Sequence, residues 1–205
     1  YLDLYCMSRH LGIGIRERKE KLRVLVEQQL FTPNCNSVLN IGCGSCRELY
    51  DIGLRLNTFE GEINCLDFDS DALEFTELTF KSRGIETANI TFTKMNVLKL
   101  TNADYMNQNL GTYDLIYSAG LFDYIQDKGI VSIFNSLYKN LNNGGMIIAP
   151  FKDSDHFELF DYHWLANWNA FFHRTKQEST ELLRKSLNDA DISVQPSNSK
   201  AINFY

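Results

Sequence analysis

The sequence predicts an α/β fold, with helices on both faces of a mostly parallel sheet, and three observations carry that reading. Short apolar, β-prone runs alternate with helix-length amphipathic segments from residue 37 onward. The first run, Ser37-Val38-Leu39-Asn40-Ile41, passes directly into Gly42-Cys43-Gly44. The second ends at Asp67, 23 residues after Gly44. Strands separated by helices pair in parallel through crossovers, and the helices then cover the sheet.

The elements follow in order. Residues 15–30 place Ile15, Leu22, Leu25, Val26 and Leu30 on one helical face, and Thr32-Pro33-Asn34 ends that helix. Residues 38–41 form the first strand and 47–56 a helix. The second strand is 63–67. Asp69-Ser70-Asp71 caps a helix that runs to Arg83 and stops at Gly84. Strands at 90–95 and 113–117 come next, then a helix over 128–141 closed by Asn142-Asn143-Gly144-Gly145. A fifth strand at 146–149 meets Pro150. A helix at 177–189 precedes two last strands, 192–195 and 202–205, with Pro196-Ser197-Asn198 between them. This makes seven strands. With no repeat and no linker, one domain is expected. Residues 1–35 form a helical segment over its ligand site, and residues 36–205 form the domain proper, with an insert at 152–174.

Composition narrows the function. A chain of 205 residues has room for one sizeable core. Its 20 basic against 26 acidic residues give a net charge of −6, which argues against nucleic acid as a partner. The basic cluster between positions 16 and 23 alternates with Glu17 and Glu20 and reads as a solvated helix face. No run is long and apolar enough for a membrane span, and no signal peptide is visible, so a cytoplasmic protein is expected. The chain starts at Tyr1 without Met, so residues upstream are expected. Five cysteines, odd in number and irregular in spacing, point to a reducing compartment. Cys43-x-x-Cys46 lacks the second ligand pair that zinc requires, so the expectation is no metal, with small side chains filling a crowded loop.

The topology places a ligand site beyond the carboxyl ends of the strands. Four positions converge there. The Gly42-Cys43-Gly44 loop lets backbone lie against a ligand. Asp67 can accept two ribose hydroxyls, Asp69 being assigned to the helix cap. Asn96 offers an amide to an adenine edge. Ser118-Ala119-Gly120 leave room at a reaction centre. Together these describe a nucleotide-like ligand.

The same ordered segments resemble the class I S-adenosylmethionine-dependent methyltransferases. They are Val-Leu-Asn-Ile-Gly-Cys-Gly, Cys-Leu-Asp67, Asn96-Val97, Tyr-Asp-Leu-Ile-Tyr-Ser and Asn-Asn-Gly-Gly-Met-Ile-Ile, and the likeness covers residues 36–205. It implies the Rossmann-like fold of that class, with the last two strands as an antiparallel hairpin at one sheet edge. It implies S-adenosylmethionine as cofactor and S-adenosylhomocysteine as product. Gly42, Cys43 and Gly44 would lie against the methionine part, Asp67 would hold the ribose, Phe68 would cover adenine and Asn96 would read its amine. Two positions depart from the pattern. The acid usual near the end of the first strand is Asn40, whose carbonyl oxygen can still meet the cofactor's ammonium, and a third glycine is replaced by Cys46. A nicotinamide dinucleotide fits less well, because Glu48 in the first helical turn would repel its pyrophosphate yet is tolerable beside a sulfonium and an ammonium.

A narrower resemblance lies in Leu-Ile-Tyr-Ser-Ala-Gly-Leu-Phe-Asp-Tyr-Ile, residues 115–125, and in Gly-Cys-Gly-Ser-Cys-Arg-Glu-Leu. Both are similar to bacterial methyltransferases linked to fatty-acid methyl ester signals of the 3-hydroxypalmitate type. That implies a small-molecule acceptor, a carboxylate or hydroxyl of a fatty or acyl acid. An ionised carboxylate needs no base, whereas a hydroxyl or amine does. Candidates for the chemistry are Asp123, Tyr124 and His163, with Arg174 as a carboxylate anchor. The insert, which also holds Tyr162, is read either as a helix packed on the core or as an aromatic lid, built from Phe157, Leu159, Phe160, Trp164, Leu165, Trp168 and Phe171. Tyr5 is a further candidate for the cofactor. Three functions stay open: a methyltransferase on an acyl acceptor, one acting on protein or another small molecule, and a non-catalytic binding module that keeps the fold.

Overall fold

The structure is a computed structural model that describes residues 1–158, 160, 163–164, 167–168, 170–187 and 189–205. Its chain order opens with α1 (Leu2–Ser8), α2 (His10–Leu30), β1 (Ser37–Ile41), α3 (Arg47–Ile52) and β2 (Glu62–Asp67). There follow α4 (Ser70–Ser82), β3 (Ile90–Lys94), α5 (Ala103–Leu110), β4 (Tyr113–Tyr117) and α6 (Asp127–Lys139). The last described elements are β5 (Leu141–Ile148), β6 (Pro150–Lys152), α7 (Lys176–Ser186), β7 (Gln195–Pro196) and β8 (Ile202–Phe204).

Five strands pair in parallel in the order β3-β2-β1-β4-β5. Period-two alternation sends successive side chains of β1 to opposite faces. Val38 joins Ile63, Leu115 and the α2, α3 and α4 side chains in one buried cluster. Leu39 and Ile41 join Leu66, Ile116 and the α5, α6 and α7 side chains in the other. The central strands β1 and β4 are buried on both sides, which is why their runs are mostly apolar, whereas the edge strands β3 and β5 are more polar and partly exposed.

The sheet has five parallel strands, not the seven expected. Residues 150–152, 195–196 and 202–204 form a separate three-stranded antiparallel sheet, β6-β8-β7. Ala149 joins the two by exchanging hydrogen bonds with Tyr205 at 2.9 and 3.1 Å. The expected strand at 192–195 is reduced to Gln195–Pro196, and its preceding residues stand off the β5 edge. The groove between them, about 860 Å³, is lined by Asn142–Ala149 on one side and Asp189–Ser193 on the other. Two glycines weaken β5 as a pairing edge, and Pro196 brings no N–H to a ladder. The helix over residues 47–56 ends at Ile52 and continues as a 3-10 turn, Gly53–Thr58. Among the described residues no helix is long and apolar enough to cross a membrane.

Local chemistry sets the ends that matter for the site. The Asp69 carboxylate accepts from the N–H groups of Asp71 and Ala72, capping α4. Gly84 ends that stretch at φ +73°. At the amino ends of the strands, the Asp114 carboxylate accepts from the N–H groups of Asn36 and Ser37, the Ser37 hydroxyl and the Asn142 amide, at 2.7–2.9 Å. It thereby ties the entrances of β1, β4 and β5 together. Burial alone would raise its pKa, but the hydrogen bonds from Asn142, Asn36 and Ser37 outweigh burial and hold it below the usual 3.8. A depressed carboxylate stabilises the fold above its unfolded pKa, and the gain fades as pH falls through the folded value. Asp114→Asn should therefore lower stability by roughly 1–3 kcal/mol at pH 7. Denaturation titrations should show the difference shrinking below pH 4, and a difference that persists unchanged at pH 3 would count against this account.

Candidate functional site

The strand order reverses between β1 and β4, and the cleft opens at their carboxyl ends, where open α/β sheets bind ligands. It has two lobes that share Gly42 and Gly120. One, about 340 Å³, is lined by Gly42, Leu66, Asp67, Phe68, Met95, Asn96, Val97, Gly120, Leu121 and Tyr124. The other, about 690 Å³, lies between the Gly42–Ser45 loop, Glu48, Ala119, Gly120 and the α2 residues Ile15, Arg16, Arg18 and Lys19.

The loop after β1 turns through three left-handed residues, Gly42 at φ +61°, Gly44 at +51° and Cys46 at +43°. At Gly42 a side chain would also press on Leu121 Cβ at 3.1 Å, so the loops after β1 and β4 approach closely there. The turn is pinned from β2 and α4. Gly44 N–H donates to Asp67 Oδ2 at 2.8 Å, and the Thr76 hydroxyl donates to Gly44 O at 2.9 Å. Asp67 Oδ1 accepts from Asp69 N–H at 3.0 Å. Each Asp67 oxygen thus spends one lone pair on backbone and keeps one for the cavity.

The structure brings the predicted binding residues other than Asn40 and Ser118 to one cleft. Phe68 stands exposed at its rim, and Val97 and Asn96 line its floor. Asn96 Oδ1 also caps its own turn through Leu98 N–H, at 2.9 Å. Ala119 and Gly120 line the second lobe, whereas Ser118 is buried and its hydroxyl accepts from Leu121 N–H at 3.3 Å. Cys43 also lines that lobe. Its thiol is drawn down to about 5 by hydrogen bonds from Cys46 and Cys65, whose own thiols are pushed up. Among the described residues no group of three His, Cys, Asp or Glu side chains is arranged to hold a metal ion.

Asn40 is fully buried and does not reach the cleft. Its amide donates to Glu48 Oε1 at 2.8 Å, and the Tyr117 hydroxyl donates to the same oxygen at 3.0 Å. Asn40 Oδ1 has no partner among the described residues. Burial raises the Glu48 pKa to about 7, against the pull of its hydrogen bonds from Tyr117 and Asn40.

The predicted reacting residues are divided. Tyr124 lines the first lobe, and its hydroxyl accepts from Trp168 Nε1 at 2.9 Å. Asp123 is buried against Lys152, whose ammonium donates to Oδ2 at 2.8 Å and whose backbone N–H donates to Oδ1 at 3.0 Å. The Lys152 ammonium also lies 4.3–5.1 Å from the ring centres of Tyr124, Trp168 and Phe171. His163 lines neither lobe and stacks on His173, ring centres 5.3 Å apart. Arg174 does not serve as a carboxylate anchor in the cleft. Its fork clamps the Phe122 and Ile125 carbonyls and the Asp127 carboxylate. In the insert Phe157 and Phe171 are buried on the core, Phe160 and Trp164 stack on each other in solvent, and Leu159, Tyr162 and Leu165 lie outside the described residues.

The N-terminal segment reaches the cleft by a different residue from the one expected. Tyr5 lines neither lobe, and α1 buries nothing. Arg18 does instead. Its guanidinium packs over Gly120 so tightly that a Cβ there would lie 2.3 Å from Nη1. Burial pulls its pKa down, and the charges of Asp123, Tyr124 and Glu48 push back. The sequence carried a signal: Arg18 falls at helical spacing between Gly14 and Leu22, inside the buried stripe of α2. Anchors on both sides hold the helix, Lys19 to Asp51 at 2.6 Å and Glu17 to Ser199 N–H at 2.9 Å.

A family model described as a methyltransferase domain matches residues 34–193. Among curated proteins no relative matches. Among solved structures, a Bordetella parapertussis protein superposes with TM-score 0.70 at 16% identity, covering 94% of this chain and 67% of its own. SMU.776, solved with S-adenosylhomocysteine, gives 0.63 at 12% identity over 88% of this chain and 47% of its own. An S-adenosylmethionine-dependent methyltransferase of Clostridium acetobutylicum gives 0.64 at 12% identity over 99% of this chain and 95% of its own. The chain thus spans about half the length of SMU.776 and nearly all of the clostridial enzyme.

The Asp123–Lys152 pair gives a testable consequence. Asp123→Ala leaves a buried ammonium without its carboxylate and should cost about 3–5 kcal/mol in urea denaturation. Adding Lys152→Met should recover part of that loss. Full stability with lost turnover would instead place Asp123 in the chemistry.

Proposed function

The chain belongs to the family of methyltransferase domains, and from that premise we propose that it transfers a methyl group from S-adenosylmethionine to a small acceptor, a carboxylate or hydroxyl of a fatty or acyl acid of the 3-hydroxypalmitate type. The observation that carries the reading is Asp67. Its carboxylate stands at the mouth of the first lobe with one lone pair per oxygen committed to backbone, between exposed Phe68 and the Gly44 turn. That arrangement suits a cis-diol with a purine beside it. The residues fit the cofactor: two positive-φ glycines bare the loop backbone, and the two lobes meet at Gly42 and Gly120.

When bound, the sulfonium supplies an activated methyl group that a nucleophile displaces in line. The chain's part is then to position, desolvate and neutralise. Asp67 holds the ribose, Asn96 and Val97 border the base, and Gly120 keeps the floor low between the lobes. Tyr124, Trp168 and Phe171 offer an aromatic wall beside the first lobe, with the Lys152 ammonium behind it. An apolar acyl body matches that wall. Asp123 is already hydrogen-bonded to Lys152 and His163 lines neither lobe, which favours an acceptor that arrives ionised and needs no base.

Calorimetric titration of S-adenosylmethionine tests the cofactor. Micromolar binding is expected, and Asp67→Ala should weaken it by about 100-fold, the value of two charge-assisted hydrogen bonds. Fatty and 3-hydroxy fatty acids should then turn over to methyl esters with a base-independent pH profile. Absence of binding at millimolar cofactor would overturn the proposal.

A further inference from the structure

The Cys43-x-x-Cys46 run carries chemistry that methyl transfer does not use. Three thiols from separate parts of the chain meet there. Cys43 lies in the turn after β1, Cys46 leads into α3, and Cys65 stands on β2. All three are free. Cys46 Sγ donates to Cys65 Sγ at 3.6 Å, and both side chains hydrogen-bond to the Cys43 thiol. Cys46 and Cys65 are 1% and 0% exposed, whereas Cys43 borders the second lobe. A reagent that diffuses into that lobe therefore meets Cys43 first.

Two features separate these thiols from side chains that merely fill space. The first is the backbone. Cys46 N–H donates to Cys43 O at 3.0 Å, which closes a four-residue turn and keeps the two Cα atoms within about 7 Å, the outer reach of a disulfide. Cys46 also takes φ +43°, a left-handed conformation that glycine adopts without strain. A cysteine kept there at a backbone cost points to a use for its sulfur. The second feature is ionisation. The hydrogen bonds with Cys46 and Cys65 draw the Cys43 thiol down to about 5, against burial and the charge of Asp67. Cys35, pushed by burial and by Asp114, goes the other way, to about 11. A thiolate beside a second thiol, at the wall of an open cavity, is the setting of a reactive cysteine.

We propose that Cys43 is a peroxide-reactive nucleophile and Cys46 its resolving thiol, so that the turn after β1 closes reversibly into a Cys43–Cys46 disulfide. The inference is independent of the S-adenosylmethionine reading. In the first step the Cys43 sulfur attacks one oxygen of a hydroperoxide. The O–O bond breaks, and the other oxygen leaves as water or an alcohol, carrying the thiol's proton. Cys43 becomes a sulfenic acid. In the second step the Cys46 sulfur attacks that sulfur. The S–O bond breaks, and the hydroxyl leaves as water with the Cys46 proton. Two thiols lose two electrons, and the peroxide gains them. Cys65 is the weaker candidate for resolution, because its backbone is locked in the sheet opposite Asn40 and Phe92, whereas Cys46 shares the turn with Cys43. An external dithiol reverses the bridge by exchange. Since Cys43 lines the second lobe, each cycle remodels the wall of the cleft.

The test treats the intact, reduced chain with hydrogen peroxide, alkylates the thiols that remain, and maps the peptides by mass spectrometry. Cys43 and Cys46 should disappear together from the alkylated pool as one peptide lighter by two hydrogens, and dithiothreitol should return both. Cys6, Cys35 and Cys65 should stay alkylatable. In Cys46→Ser the sulfenic acid on Cys43 should be trapped by dimedone. Cys43→Ser should form no bridge, and its remaining thiols should oxidise about tenfold more slowly than Cys43 does in the parent. Cys65→Ser should still close the bridge. The measurement on the parent chain needs no variant to fold. A parent that keeps Cys43 alkylatable after peroxide, that oxidises Cys6 before Cys43, or that joins Cys65 to either partner overturns the proposal.

Discussion

The structure hangs on the turn that follows β1. Three residues there take positive φ within five positions, two of them glycines and one, Cys46, an L-residue held at +43°. Such a turn persists only if its surroundings over-determine it. They do so from three directions. Asp67 accepts the Gly44 N–H, Thr76 donates to the Gly44 carbonyl, and Leu121 packs against Gly42. The same contacts fix the site, because the carboxylate that pins the loop is also the one that faces the cavity. Loop geometry and ligand chemistry therefore cannot be separated by mutation at Asp67 alone.

Much of the frame was legible because its signals are local. The β1 run, the Asp69 cap and the stop at Gly84 each depend on a few neighbouring residues, and each appears in the fold within a residue or two. The elements that were missed depend on distant partners. Helix α5 has only Met106 fully buried, so its apolar pattern is faint. The edge at 192–195 reads as a strand by composition, but a strand needs a partner, and β8 pairs with β6 and β7 instead. In the site, Asp67 and the glycine loop were legible from spacing. The Asn40–Glu48 bond and the Asp123–Lys152 pair were not, since each joins side chains brought together by different elements. Arg18 was hidden by its context: flanking charges made it read as solvated, although its position in the helical stripe pointed inward.

The charges around the cleft do not follow the balance of the whole chain. The chain is acidic overall, with a net charge of −6, yet Arg16, Arg18, Lys19 and Arg47 gather around one lobe, with Glu20 and Glu48 among them. A uniform cationic wall would attract phosphate. Here the wall is of mixed sign, with buried Glu48 lining it together with Arg18, whose charge is met by Asp123 as well as by Glu48. The carboxylate at Glu48 also disfavours a pyrophosphate, through repulsion at short range in a poorly hydrated pocket. The two carboxylates of the cleft stand in contrasting settings: Asp67 is held by backbone N–H groups and faces the first lobe, whereas Glu48 is buried under the Asn40 amide and the Tyr117 hydroxyl beside the second.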